Sequence, residues 1–379
     1  MSSIDILREL IRRPSVNPMG RDCTDGTIML EHRVTGWLEG FFRDLGCPYE
    51  RQTTTPGRDN IVATCHISDD APTILFEVHQ DTVPIDGMTI DPFGGEVRDG
   101  RVYGRGACDV KGSMAVMLAV FERLWQSKPP TACNLILACT VDEEHTFLGV
   151  QELMRRGMAV SMAVVAEPTT LKIVDAHKGV ARWKVNAVGL ACHSSRPEDG
   201  INAIYAMGEV LRLTQRYANG LASREPHPRL GAATLSVGRI EGGVSVNTVP
   251  DSCTIEIDRR LLPGESAEAA HAEYAAAIAS CGTVRCGPLW LDCPALDPTH
   301  AGPAIAALGR AIAAIRGSYE VIAVPFGTDA STISNRGIPT VVFGPGDIAQ
   351  AHTKDEWIAV DQMVEAEAIL WELVTTREI

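Results

Sequence analysis

Residues 73–81 read TILFEVHQD, an apolar run that ends in a histidine and an aspartate. Its first six residues are mostly apolar strand formers, so they predict a buried β-strand. The predicted strand ends at His79, and Asp81 follows two residues later. His79 can bind a metal through one ring nitrogen while Asp81 receives the proton of the other. For an isolated His-x-Asp pair, a hydrogen-bonded histidine at a strand end is the favoured interpretation. A functional role for this pair therefore requires further candidate residues elsewhere in the chain.

Length and charge restrict the possible classes of protein. A chain of 379 residues is long for one core, which predicts two domains or one domain with a large insertion. Hydrophobic residues make up 45% and charged residues 22%, an ordinary globular balance. The net charge of -14 repels phosphate backbones and anionic lipids, and no apolar run is long enough for a membrane helix. We therefore expect no nucleic-acid partner and no membrane partner.

The cysteines indicate a reducing compartment. There are eleven, an odd number, and none is arranged as Cys-x-x-Cys, which argues against both a disulfide framework and a thiolate zinc site. The opening MSSIDILRELIRR has apolar residues at helical spacing and predicts an amphipathic helix instead of a signal peptide. We expect a cytoplasmic protein.

The order of strand-like and helical patterns predicts an α/β fold. Strands alternate with helices over residues 1–176 and again over 294–379, which favours a mostly parallel sheet with ligands beyond the carboxyl ends of its strands. Residues 177–293 differ, because alternating runs and two helical patterns there predict a small antiparallel sheet covered by two helices. We interpret 177–293 as an inserted α+β domain.

Polar residues that follow the predicted strands form one candidate site. They are His79, Asp81, Asp109, Glu143, Glu144, Glu167 and His352. Two histidines with several carboxylates and no thiolate are typical of a hydrolytic two-metal site, with zinc favoured. Each imidazole can serve one metal, one carboxylate can bridge, one more can complete each metal, and one acid then remains as a general base. Any one of these acids alone would be interpreted as a solvated loop residue. So many acids at the ends of predicted strands are not expected by chance, so we interpret them together as one site.

Seven motifs in the same order resemble the dinuclear zinc aminoacylase and peptidase family, the M20 type. They are HQDTVP, GRGACDVKGS, VDEEH, AEPTT, HSSRPEDGINA, NTVP with IDRRLLPGE, and AHTKDEW. The family includes acetylornithine deacetylase, succinyl-diaminopimelate desuccinylase, aminoacylase and carboxypeptidase G. The resemblance covers nearly the whole chain.

The resemblance implies a role for each residue of the candidate site. Two Zn²⁺ per subunit, replaceable by Co²⁺ or Mn²⁺, would be held by bridging Asp109, by His79 and Glu167 on one metal, and by Glu144 and His352 on the other. Glu143 would be the general base that activates a bridging water, and Asp81 would orient His79. In this family the peptide after the bridging aspartate is often cis, so we expect a cis bond between Asp109 and Val110.

The resemblance also assigns residues in the inserted domain, which would be a lid and dimerisation domain. His193 resembles a histidine that reaches the partner subunit's active site and stabilises the oxyanion there, which implies a homodimer. Asn247 and Arg260 would bind the α-carboxylate of the substrate. Arg259 points to the opposite face of its strand and is interpreted as structural.

The reaction class is better defined than the substrate. Segments such as AEPTTLKIVDAHKG and GRIEGGVSVNTVP resemble acetylornithine deacetylases, which favours a small N-acyl amino acid, N-acetylornithine first. On charge alone, Asp329 is a candidate to hold a cationic substrate side chain. The alternatives are a desuccinylase, an aminoacylase, a metallo-carboxypeptidase or dipeptidase of the same family, and a homologue that binds metal and ligand without turnover. The intact Glu143 disfavours the last of these.

Overall fold

The structure is a computed structural model that describes residues 1–22 and 25–379. It divides into two compact units. Unit 1 comprises residues 1–175, 298–322 and 328–379, and unit 2 comprises residues 176–297 and 323–327. Compared with the predicted insertion at 177–293, unit 2 starts one residue earlier, ends four residues later and also includes residues 323–327.

The elements follow the predicted order. The helices are α1 (Ser3–Ile11), α2 (His32–Leu45), α3 (Gly112–Ser127), α4 (Leu148–Arg156), α5 (Ala203–Ala222), α6 (Ala267–Ala277), α7 (Gly302–Arg316), α8 (Ala330–Ser334) and α9 (Val360–Thr375). The strands are β1 (Tyr49–Thr55), β2 (Arg58–Cys65), β3 (Thr73–His79), β4 (Glu96–Arg98), β5 (Arg101–Tyr103), β6 (Asn134–Thr140), β7 (Met162–Val165), β8 (Ile173–His177), β9 (Gly179–Val188), β10 (Cys192–His193), β11 (Thr234–Gly242), β12 (Thr248–Val249), β13 (Ser252–Leu261), β14 (Val284–Cys293), β15 (Val321–Val324), β16 (Thr340–Val342) and β17 (Trp357–Ala359).

The large sheet has the strand order β1-β2-β6-β3-β7-β16-β8-β15. The adjacent strands β6, β3, β7 and β16 run parallel, whereas β1 pairs antiparallel with β2, β2 with β6, and β8 with β16. The α/β fold with a mostly parallel sheet is therefore confirmed, with the parallel strands in the middle. The carboxyl ends of parallel strands meet at one edge of a sheet, and this edge carries the candidate site.

Helices complete the core of unit 1. The predicted first helix is present as α1, and Ser2 caps it, because its side chain accepts a hydrogen bond from the backbone N–H of Asp5 at 3.1 Å. Helix α3 is buried at every residue from 112 to 121 and packs against α1 and α9. A helix that is apolar on all sides packs against neighbouring elements around its whole circumference. This packing holds the start of α3, and with it the turn that precedes the helix, in a fixed position.

Unit 2 contains an antiparallel sheet with the order β11-β13-β9-β14, and helices α5 and α6 pack against it. Trp183, Ile257 and Tyr274 form part of the core between sheet and helices. The predicted antiparallel sheet with two covering helices is confirmed. The sequence pattern does not indicate β14, because Gly287 and Pro288 interrupt the alternation, and the pairing of β14 with β9 is irregular at the same point.

Two further expectations concern the whole chain. The ten cysteines that the structure describes are free thiols, and Cys23 lies outside the described residues. Among the described helices, none combines the length and the apolar character needed to cross a bilayer.

Candidate metal centre

Three neighbouring parallel strands deliver four of the predicted residues. His79 is the last residue of β3 and lies opposite Thr140, the last residue of β6. Glu143 and Glu144 follow β6 by a few residues, and Glu167 follows the end of β7. Because the three strands are adjacent and aligned, side chains from distant parts of the sequence converge at one edge.

Asp109 reaches the same edge from the turn that precedes α3. Gly106 opens this turn with φ +82°, and a Cβ there would lie 2.6 Å from Thr82 Cγ2, so the position requires glycine. The peptide between Asp109 and Val110 is cis, as predicted.

The converging side chains form two groups that share one carboxylate. In the first group, His79 Nε2 lies 3.2 Å from Asp109 Oδ1 and 3.9 Å from Glu167 Oε1. In the second group, His352 Nε2 lies 3.3 Å from both Asp109 Oδ2 and Glu144 Oε2. Within each group one ligand atom per residue lies within 4.8 Å of the others, a spacing that could hold a metal ion. The predicted bridging residue, Asp109, is the member common to both.

The donor set fits metal ions. Imidazole nitrogens and carboxylate oxygens are the ligands of hydrolytic metal sites. Within the described residues, Glu144 Oε1 is buried without a hydrogen-bond partner, and a bound cation would supply one.

The electrostatics of the site also favour cations. Although burial alone would raise it, the pKa of Asp109 is lowered by hydrogen bonds from His352 and His79. Burial, together with the charge of Asp109, raises the pKa of Glu144 to about 7. Hydrogen bonds to Asp109 and Glu144 raise the pKa of His352 to about 11. Without a metal, the imidazoles must supply the positive charge that this many buried carboxylates require.

Glu143 lies among these acids but belongs to neither group. It is 8% exposed, and burial raises its pKa well above the usual range, with the charges of Glu144 and Asp109 adding to the effect. A buried carboxyl group with a raised pKa beside a candidate metal site is suited to accept and release a proton.

The structure modifies the predicted link between His79 and Asp81. His79 Nδ1 lies 3.0 Å from the backbone carbonyl oxygen of Asp81 but 3.6 Å from its carboxylate. The carbonyl is therefore the nearer acceptor of the ring proton. The carboxylate is engaged elsewhere, accepting hydrogen bonds from the backbone N–H groups of Glu143 and Glu144, both at 3.2 Å. Through these two hydrogen bonds, Asp81 connects the end of β3 with the turn that contains both glutamates.

A buried polar network behind this turn was missed by sequence analysis. Asn17, fully buried, donates to Asp81 Oδ2 at 2.8 Å and to Asp142 Oδ1 at 2.9 Å. Arg58 Nη1 contacts Asp142 at 2.6 Å, and its Nε donates to Glu31 Oε2 at 3.0 Å. The local sequence SVNP shows only that Asn17 is a polar residue between Val16 and Pro18. The partners of Asn17 are far away in the sequence, so no periodic pattern indicates the network.

The predicted residues of unit 2 lie on its exposed loops and sheet. The side chains of His193 and Asn247 are exposed, and the N–H of Ser194 donates to the carbonyl oxygen of Asn247 at 3.0 Å, which brings the two segments together. Arg260 is partly exposed and its Nε donates to Asp258 at 2.7 Å. Arg259 is fully buried and donates to Glu265 at 2.8 Å, which agrees with a structural role.

Asp329 lies in surroundings that charge alone did not predict. It is 1% exposed, with its Oδ2 3.2 Å from Thr140 Oγ1. Burial raises its pKa well above the usual range, and the nearby Glu77 carboxyl adds to the effect. Burial makes the charged form of Asp329 costly, whereas binding a substrate cation requires an accessible carboxylate.

The fold and the two histidine–carboxylate groups define a metal-dependent hydrolase. The model of peptidase family M20/M25/M40 matches residues 75–376, and the chain belongs to that family as a metal-dependent amidohydrolase. Acetylornithine deacetylase of Aliivibrio salmonicida is 30% identical over 365 residues, covering 93% of this chain and 92% of that protein. The same enzyme of Erwinia tasmaniensis is 31% identical over 368 residues, covering 94% and 92%.

Solved structures share the fold at low sequence identity. An M20 family metallo-carboxypeptidase from Sulfolobus solfataricus has a TM-score of 0.79 at 16% identity, covering 100% of this chain and 99% of that one. A dinuclear metal binding M20 peptidase from Bacillus subtilis has a TM-score of 0.67 at 18% identity, covering 98% and 96%.

Proposed function

We propose that this protein hydrolyses the amide bond of small N-acyl amino acids with two Zn²⁺ ions per subunit, and that N-acetylornithine is the preferred substrate. The observation that carries the proposal is the pair of ligand groups sharing Asp109, with the separate buried carboxyl group of Glu143 beside them. A hydrolase needs that division between metal ligands and a free proton carrier.

Each residue of the site has a defined task. His79, Asp109 and Glu167 would hold one metal, and Asp109, Glu144 and His352 the other. Two zinc ions would act as Lewis acids and lower the pKa of water from 15.7 toward about 7. Glu143 takes the proton of the attacking water and delivers it to the nitrogen of the leaving amine. Its raised pKa suits both transfers.

The substrate proposal rests on the relatives. The two acetylornithine deacetylases match nearly the full length of the chain, which favours an N-acetyl amino acid over a peptide. Arg260 and Asn247 are proposed to bind the substrate carboxylate. The role of Asp329 in binding the cationic side chain of the substrate stays a prediction, and the burial of Asp329 argues against that role.

We further propose a cytoplasmic homodimer in which His193 acts on the partner subunit's substrate. Strand β11 is an outer strand of the unit 2 sheet among the described residues, and outer strands are ready to pair with another chain. Beside it, Tyr205, Val244 and Val246 line one groove, and they are 80%, 89% and 102% exposed. Apolar side chains this exposed are typical of an interface, and a second copy of the chain would cover them.

The test is a substrate panel. Purified protein is stripped of metal, reconstituted with two equivalents of Zn²⁺, and assayed with N-acetyl, N-succinyl and N-formyl amino acids and with dipeptides. We expect hydrolysis of N-acetyl amino acids, with the highest kcat/KM for N-acetylornithine. Activity confined to dipeptides would support the peptidase alternative instead. No hydrolysis with both metals bound would support the non-catalytic alternative.

A further inference from the structure

Glu356 is a fully buried acid in the AHTKDEW segment that belongs to neither ligand group. Its Oε1 accepts hydrogen bonds from the backbone N–H groups of Cys108 at 2.9 Å and Asp109 at 3.0 Å. Its Oε2 accepts from the N–H of Gly106 at 3.0 Å and from Arg105 Nη1 at 2.7 Å. One carboxylate thus holds three backbone N–H groups of the turn that carries Asp109.

The same acid lies only four residues after His352. Its own backbone is fixed, because Gly104 N–H donates to the Glu356 carbonyl oxygen at 3.1 Å and β17, which follows directly, pairs with β5. Arg105 adds a second tie, donating to the Thr353 carbonyl oxygen at 3.3 Å. The loop of His352 and the turn of Asp109, far apart in sequence, are therefore joined through one carboxylate.

The second ligand group depends on that junction more than the first does. In the first group, His79 is the last residue of β3 and Glu167 follows β7, so the central sheet holds two of the three members independently of Glu356. In the second group, the His352 side chain is 53% exposed and its backbone has φ +62°, so packing restrains it less. Both Asp109 and His352 reach Glu144 from the two segments that Glu356 joins.

We propose that Glu356 is a positioning residue that sets the separation of Asp109 and His352 and thereby the metal affinity of the second group. The inference rests on the proposed two-metal function and adds a residue to it. A buried carboxylate is needed because each oxygen accepts two N–H donors. Glutamine at this position would turn an NH₂ group toward donors, so the turn would have to move.

The experiment compares the two zinc dissociation constants of wild-type protein, Glu356→Gln and Asp355→Asn. Asp355 is exposed and adjacent, so its variant controls for the loss of one negative charge in this loop. The constants are measured by competition with a chelator, and Co²⁺ absorption spectra report the ligand geometry independently of turnover. We expect Glu356→Gln to weaken the second zinc about 10- to 100-fold, the typical effect of residues behind metal ligands, with a smaller change in the first. Asp355→Asn should keep both constants.

The ratio of the two constants separates positioning from general stability. A purely structural role would lower the melting temperature of the metal-free protein without changing that ratio. If circular dichroism shows Glu356→Gln to be unfolded, Arg105→Lys replaces it, and it should weaken the second zinc less but in the same direction, because lysine cannot reach the separate acceptors of the guanidinium. An unchanged ratio in the folded variant would overturn the inference alone. Wild-type protein that binds no zinc would overturn the proposed function and the inference together.

Discussion

Replacing Asn17 with aspartate is expected to destabilise unit 1 strongly at neutral pH. The side chain keeps its shape, but the NH₂ group that donates to Asp81 at 2.8 Å and to Asp142 at 2.9 Å becomes an oxygen. Hydrogen bonds to charged groups contribute about 1.5–3 kcal/mol each, so losing two costs about 3–6 kcal/mol. Total stabilities are about 5–15 kcal/mol, so the variant should be close to the limit of folding.

The loss in the free energy of unfolding of Asn17→Asp should become smaller as the pH falls. A third carboxyl group among two buried ones has a folded-state pKa raised above its unfolded value of about 3.9, because a shared proton restores one hydrogen bond. The native variant then binds more protons than the unfolded variant. Relative to wild type, its deficit is therefore complete above the raised pKa and shrinks as the pH falls through it.

The measurement is urea-induced unfolding of the metal-free proteins at neutral pH and at about pH 5, followed by circular dichroism. Asn335→Asp is the matched control, because Asn335 is exposed at the end of α8 and the same exchange there should change the free energy of unfolding by less than about 0.5 kcal/mol. A loss below about 1 kcal/mol for Asn17→Asp at neutral pH would refute the argument that this amide supports the glutamate turn. A deficit that does not shrink at the lower pH would refute the assignment of the proton.

Three further predictions address the chemistry, the subunit arrangement and the acid sensitivity. Glu143→Gln should keep both metals and lose about 10²- to 10⁴-fold in kcat, measured with metal analysis on the same sample; loss of a metal would make Glu143 a ligand. Mixed His193→Ala and Glu143→Gln chains should recover roughly a quarter of wild-type activity by random assembly, and no recovery would mean that His193 does not act across the interface. Burial lowers the pKa of His177 from 6.5 to about 4, so only the unfolded chain takes up a proton between these values. The free energy of unfolding should therefore fall as the pH drops through that window, by up to about 3 kcal/mol, and His177→Gln should flatten this part of the curve; an equally steep curve would show that His177 is not responsible.

Local sequence patterns predict those residues of the site that follow apolar strands. His79, Glu143 and Glu167 follow apolar runs, and the geometry of a parallel sheet then requires their convergence. The groups behind them were not predictable in the same way. Asn17 and Asp142 are 125 residues apart, and Asp109 and Glu356 are 247 apart, so only the folded chain makes them neighbours. Asp329 shows the opposite case, because charge suggested an accessible side chain and the fold buries it.

The acids around this site fall into two kinds with opposite partners. Asp109, Glu144 and Glu167 point their oxygens toward one another and toward imidazoles, an arrangement that a cation would stabilise. Asp81 and Glu356 instead accept backbone N–H groups from the turns that carry the first kind. The hydrogen bonds from backbone N–H groups to Asp81 and Glu356 do not require a metal, so they can order the turns before a metal ion binds. Since a ligand set that is already ordered loses less conformational entropy on binding, these non-ligating acids should contribute to metal affinity although they never contact the metal.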